Sequence, residues 1–199
     1  MTTKSLRAPW QRTIVGLAAL TLLGCSGGSS NNSPKDAAST TPTDPNAFGS
    51  KFKLADNEIA GWTASTDPST PYGVYTDANL DQRIDGGNMP YIQRGMTLAM
   101  FEPMMGPSGS FCTVVAMYFG TADNANSMFT YEQSSKSANV PIGSYDSSTA
   151  IGYSTLSGVT GYAHFQAYYF ETQVSGVADD AAGAQVSAQF LQVLASKTN

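Results

Sequence analysis

Two hydrophobic periods alternate along this chain, and their order outlines a fold. Apolar runs at 96–104 ("MTLAMFEPM") and 111–119 ("FCTVVAMYF") flank "MGPSG", whose glycines and proline suit a turn, so the pair predicts an antiparallel hairpin. Residues 151–176 predict a second antiparallel pair, with its turn near Gly158 to Gly161. Between them the period lengthens to that of a helix over 121–136, capped by Thr121 or Asp123 and burying Ala125, Met128 and Phe129. A last amphipathic helix spans 179–197. Its stripe is Ala182, Val186, Phe190, Val193 and Leu194, with Asp179 and Asp180 at the electropositive start. Upstream, 51–62 reads as a short extended segment and 66–73 as turn material. A helix then follows Thr76 or Asp77 and buries Leu80 and Ile84. This order predicts an α+β fold, a mainly antiparallel sheet built from hairpins with packed helices in a two- or three-layer sandwich. One domain over 48–199 accommodates all of it.

The N-terminus follows another pattern. Lys4, Arg7 and Arg12 precede a ten-residue apolar run from Ile14 to Leu23, half of the roughly 20 residues a membrane span needs. That length suits a signal-peptide core. "LLGC", ending at Cys25, resembles the bacterial lipobox. The resemblance implies a lipoprotein signal peptide over 1–24 and a fatty-acylated Cys25, the chain's link to membrane lipid. By the same resemblance, Ser26 directs the protein to the outer membrane. Residues 26–46 carry almost no apolar side chain and cannot bury enough surface to offset chain entropy. Residues 25–47 are therefore expected to form a lipidated tether with a reach of roughly 25 Å.

Charge narrows the partners. The whole chain carries −5, and without the three leading bases the charge falls from −5 to −8. An acidic surface repels phosphate backbones, which argues against nucleic acid. Charged residues make up 13% of the chain, about half the usual share. With Cys25 acylated, Cys112 stands alone in an apolar strand and reads as a small buried hydrophobe. Its pairing with His164, the single histidine, would be needed for thiol catalysis. No phosphate loop, nucleophile elbow or zinc-protease motif occurs, and nothing implies a cofactor. If 162–170 is one strand, alternation places His164, Gln166 and Tyr168 on a single aromatic, polar face, a candidate surface for an envelope protein or a glycan.

The stretch "DANLDQRIDGGN", 77–88, invites two readings. Asp77, Asn79, Asp81 and Asp85 fall at positions 1, 3, 5 and 9 of a calcium loop. Yet Gln82 stands where glycine must turn the chain, and Asn88 where a bidentate glutamate is required. The same residues also make a capped helix stopped by Gly86 or Gly87, and that reading outweighs the cation site. A calcium module, or a hydrolase using the acids at 77–85, stays as the alternative function.

Gly61 and Trp62, Tyr75, Leu80, "IDGG" at Ile84, Asp85, Gly86 and Gly87, then Tyr91 and Gly95, form a pattern similar to a family of uncharacterised bacterial lipoprotein and secreted domains. Asn88 and Pro90 depart from that pattern. The resemblance covers about 48–135 and implies a domain type, not an activity. Taken together, the residues predict a membrane-anchored envelope lipoprotein whose domain binds or scaffolds rather than catalyses. Replacing Cys25 with Ser is expected to move the protein from the membrane fraction to the soluble fraction, followed by intact mass and fractionation; an unchanged distribution refutes the anchor.

Overall fold

A computed structural model describes residues 41–136 and 140–199. The signal segment 1–24, Cys25 and the tether as far as residue 40 lie outside the described residues. From Thr40 onward the chain forms one compact unit, built on a seven-stranded antiparallel sheet. Its elements are α1 (Pro45–Phe52), β1 (Thr63–Ala64), β2 (Gly73–Thr76), α2 (Met89–Gln93), β3 (Leu98–Met105), β4 (Phe111–Tyr118), α3 (Ala122–Ser135), β5 (Ala150–Thr155), β6 (Gly158–Phe165), β7 (Tyr168–Ser175) and α4 (Asp180–Ser196). The sheet runs β1-β3-β4-β7-β6-β5, with β2 sharing the outer edge of β3 with β1.

Three layers result. One face of the sheet is covered by α1 and α4, through Phe48, Phe52, Met100, Val114, Phe170, Phe190, Leu191 and Leu194. The other is covered by α3 and the 80–96 segment, through Leu80, Met96, Met117, Phe119, Met128, Phe129 and Tyr169. Strands β3 and β4 read as apolar runs, interrupted only by Glu102 and Thr113, because each has a core on both sides. The expected α+β sandwich is therefore present in its three-layer form.

Individual elements depart from expectation where tertiary contacts override local pattern. Residues 45–52 are helical: Asp44 caps Asn46 N–H at 2.9 Å, Pro45 fits the first turn, and Phe48 and Phe52 bury at i, i+4. The expected helix over 77–85 shrinks to a 3₁₀ turn (Leu80–Gln82) plus one α-type bond, from Ile84 N–H to the Leu80 carbonyl at 3.0 Å. Leu80 is nonetheless fully buried. Gly86 stops this segment with φ +68°, and Pro90 then sits harmlessly in the first turn of α2. Residues 151–176 form three strands rather than two. Their turns fall at Leu156–Ser157 and at Gln166–Ala167, the latter holding Gln166 at φ +52°.

Helix α4 turns a different stripe inward than its apolar pattern suggests: Gly183, Ala184, Ser187, Phe190, Leu191 and Leu194. The rotation has a steric cause. Gly161 and Gly152 are neighbours across β5 and β6. A Cβ on Gly161 would collide with Ser187 Oγ, which meets Thr172 Oγ1 in a buried hydrogen bond. The small residues thus let helix and sheet approach closely, while Trp62 meets Phe190 edge-on at 5.0 Å. At the far end of α4, Lys197 pairs with Glu58 at 3.0 Å and donates to the Lys53 carbonyl at 3.0 Å, tying the C-terminus to α1. Gly161→Ala is expected to cost about 1–3 kcal/mol by overpacking, seen as a lower thermal midpoint, with Ser187→Gly recovering part of the loss. A midpoint that does not move contradicts the close approach.

Candidate functional site: a half-covered sheet face

The register places residues in rows across the sheet, and on the α3 side these rows change character. The row Ala99–Met117–Tyr169–His164 is apolar and aromatic. Next comes Phe101–Val115–Glu171–Tyr162–Ile151, with one carboxylate at its centre. Beyond it, Pro103–Thr113–Gln173–Thr160–Tyr153 is largely polar, and Gln173 is exposed. Helix α3 covers the first rows and reaches the last only at its Tyr153 end, where the tyrosine hydroxyl donates to the Gln133 carbonyl at 3.4 Å. A cleft of about 330 Å³ opens at that boundary, floored by Phe101, Thr113, Met117, Glu171 and Gln173 and walled by Arg83, Ile84 and Tyr91. Thr113 and Gln173 continue into a second, polar depression that also includes Thr155 and Thr160.

Glu171 dominates the electrostatics. It is 7% exposed, and one carboxylate oxygen accepts the Gln173 side-chain amide at 2.6 Å. Burial pushes its pKa up to about 7; the Gln173 hydrogen bond opposes that shift, and Glu132 from α3 adds to it. Burial, followed by the neighbouring Glu171, raises the hydroxyl of Tyr91 far above its ordinary range, and the same holds for Tyr162 and Tyr169. These phenols stay protonated and act as hydrogen-bonding groups, not nucleophiles. The Tyr169 hydroxyl is buried and finds no partner among the described residues. Arg83 lays its guanidinium over the Phe101 ring at 5.1 Å, and Tyr75 meets that ring edge-on at 5.7 Å.

Other residues singled out by sequence lie elsewhere. The turn at Gln166 splits the stretch read as one strand, so His164 and Tyr168 face opposite sides of the sheet. His164 Nε2 donates to the Ser148 carbonyl at 2.9 Å, and its ring lies 4.9 Å from Phe129. Tyr168 is buried against Phe52 and stacks on Phe170, while Gln166 is exposed. The structure therefore does not bring His164, Gln166 and Tyr168 together. Cys112 is fully buried in the core opposite His164, and burial pushes its thiol up, away from reactivity.

Asp77, Asp81 and Asp85 are exposed, and the Asn79 side-chain carbonyl accepts from Thr76 N–H at 2.7 Å. Among the described residues no three acidic, histidine or cysteine side chains converge as metal ligands would. Of the pattern Gly61, Trp62, Tyr75, Ile84, Asp85, Gly86, Gly87, Tyr91 and Gly95, Ile84 and Tyr91 reach the cleft. Gly61, Gly86 and Gly95 take positive φ values of 80°, 68° and 85°. Glu171, Gln173 and Arg83 escape sequence reasoning; the one signal available was an acid inside a strand otherwise read as core.

Fold and cleft define a three-layer α+β domain with a polar recess on one sheet face. No protein-family model and no curated protein matches the chain. Among solved structures, the chain is similar to the extracellular domain of PknH from Mycobacterium tuberculosis, with 10% identity and a TM-score of 0.36 over 78% of this chain and 89% of that one.

Two carboxyls set a pH dependence. Glu102, on the opposite face, is also pushed up to about 7 by burial, against the opposing pull of the Leu54 N–H bond at 2.8 Å. For both, the folded pKa exceeds the ordinary 4.5, so the native state binds more protons than the unfolded state between about 4.5 and 7. Stability is then greatest below about 4.5 with respect to these groups and falls as pH rises through 7. The loss is on the order of 2–3 kcal/mol per carboxyl. Glu171→Gln is expected to raise the melting midpoint by several degrees at pH 8 and to change it little at pH 5; equal shifts at both pH values refute the assignment.

Proposed function

We propose that the protein is an envelope lipoprotein, fatty-acylated at Cys25 and held at the outer membrane, whose domain binds a small polar ligand in the Glu171 cleft without turning it over. The observation that carries the binding reading is the boundary between covered and uncovered halves of one sheet face. There a buried carboxyl, an amide, a threonine and a tyrosine line an open recess of a size that suits small molecules. The protonated phenol of Tyr91 supplies recognition in the cleft, while the inert Cys112 thiol and the Ser148-bound His164 lie outside it and form no nucleophile with its base. A sugar of an envelope glycan, or a polar side chain of an envelope protein, matches such a surface. The Gly61–Trp62 to Gly95 pattern marks the domain type, with its glycines serving left-handed turns and Tyr91 serving the cleft.

A fragment screen of mixed charge against the isotopically labelled full chain tests this. Amide signals of Thr113, Glu171 and Gln173 are expected to shift together with at least one fragment class, and Gln173→Trp, which fills the recess, is expected to abolish the shifts. Shifts scattered over the surface, or none at all, refute the site.

A further inference from the structure

Glu171 lines the cleft without an ion pair among the described residues, although Arg83 lines it too. Glu171 on β7 and Glu132 on α3 are 7% and 8% exposed, and Glu132 raises the cost of ionising Glu171. Lys136 approaches Glu132 at 3.6 Å from the solvent side. The two nearby arginines lie against aromatic rings, Arg83 in the cleft wall itself. Arg83 lies over Phe101, while Arg94 lies 4.1 Å from the Tyr131 ring centre and donates to the Pro90 carbonyl at 2.9 Å. Neither arginine forms an ion pair among the described residues. Buried carboxylates ordinarily hold a hydrogen-bonded cation, since an uncompensated one is costly.

A second, independent feature points the same way. Tyr91 and Tyr162 surround the Glu171 carboxyl, together with Tyr169, whose fully buried hydroxyl is left without a partner among these groups. Aromatic faces beside a carboxylate form the environment that stabilises a desolvated organic cation. Unlike the acids at 77–85, which are exposed to water, Glu171 is buried and yet lines the open recess.

We infer that the cleft selects ligands bearing a protonated amine, with Glu171 as the anionic partner and Tyr91 as an aromatic wall. This rests on the cleft being a ligand site. It places Glu132 in support, through the field it adds, and leaves Arg83 at the rim without a role in holding the amine. Binding then requires the ionised form of Glu171, so a bound cation lowers the carboxyl's proton affinity and expels its proton.

Benzylamine and benzyl alcohol, alike in shape and different in charge, make the test on the labelled full chain. Benzylamine at pH 8 is expected to shift the Glu171 and Gln173 signals saturably, with affinity falling about 100-fold at pH 5 as a carboxyl titrating near 7 protonates. Glu171→Gln should abolish the response in a protein whose spectrum remains folded, Glu132→Gln should weaken it, and Arg83→Gln should preserve it. Benzyl alcohol binding as well as benzylamine overturns the cation preference and leaves the cleft as a ligand site. Silence of both probes at millimolar concentration at pH 8 overturns the amine inference; the mixed-charge screen decides separately whether the recess binds anything.

Discussion

Covering both faces of one antiparallel sheet is the constraint from which the rest of this domain follows. Eight-residue strands with a core on either side need apolar residues on both faces, and β3 and β4 supply them at all positions but Glu102 and Thr113. They also need two layers of helix. On one side α4 spans β6 and β7 and α1 spans the β2–β3 edge, so coverage there is nearly complete. On the other side a single long helix and a patchwork of turns must do the same work over the same width, and they run out. The recess is what remains where coverage ends, and its polar floor is the normal composition of a strand surface that meets water.

The sheet carries a carboxyl on each face, and the two solve the same problem differently. Glu102 sits in the row Glu102–Val114–Thr172–Gly161–Gly152 beneath the complete layer, where the Leu54 N–H and the bases Lys53 and Lys197 steady it. Its mirror row places Glu171 at the rim of the incomplete layer, where the Gln173 side-chain amide and the Tyr91 hydroxyl are its partners. Glu102 is steadied by a donor and by charges that belong to the fold, although its Oε1 finds no hydrogen-bond partner among the described residues. An acid without an ion pair at an opening has room for a cation from outside.

Much of the architecture was legible because long periodic segments carry their own evidence. The β3–β4 hairpin, the Thr121-capped helix and the C-terminal helix all rest on runs that bury one consistent set of side chains. The failures were local. "FQAY" holds none of the usual turn residues, so the reversal at Gln166–Ala167 left no mark, and one strand was read where there are two. The Asp44–Pro45 start of α1 was hidden in polar, proline-bearing sequence that resembles tether. Glycine and serine in α4 face the sheet because Gly161 admits them, a reciprocal relation between two distant segments that no local period encodes. The site was illegible for the same reason: Arg83, Glu171 and Gln173 come from separate elements, and only the register shows that coverage fails above them.

The bond between Lys197 and Glu58 and the seat of α1 beside it give the domain a mechanical polarity. The chain enters at Asp44 and ends at Asn199 in the layer that also contains α4. A force applied at Asp44 would be borne by α1 and shared with the C-terminal helix through that clasp. The recess lies on the opposite face of the sheet, away from that path.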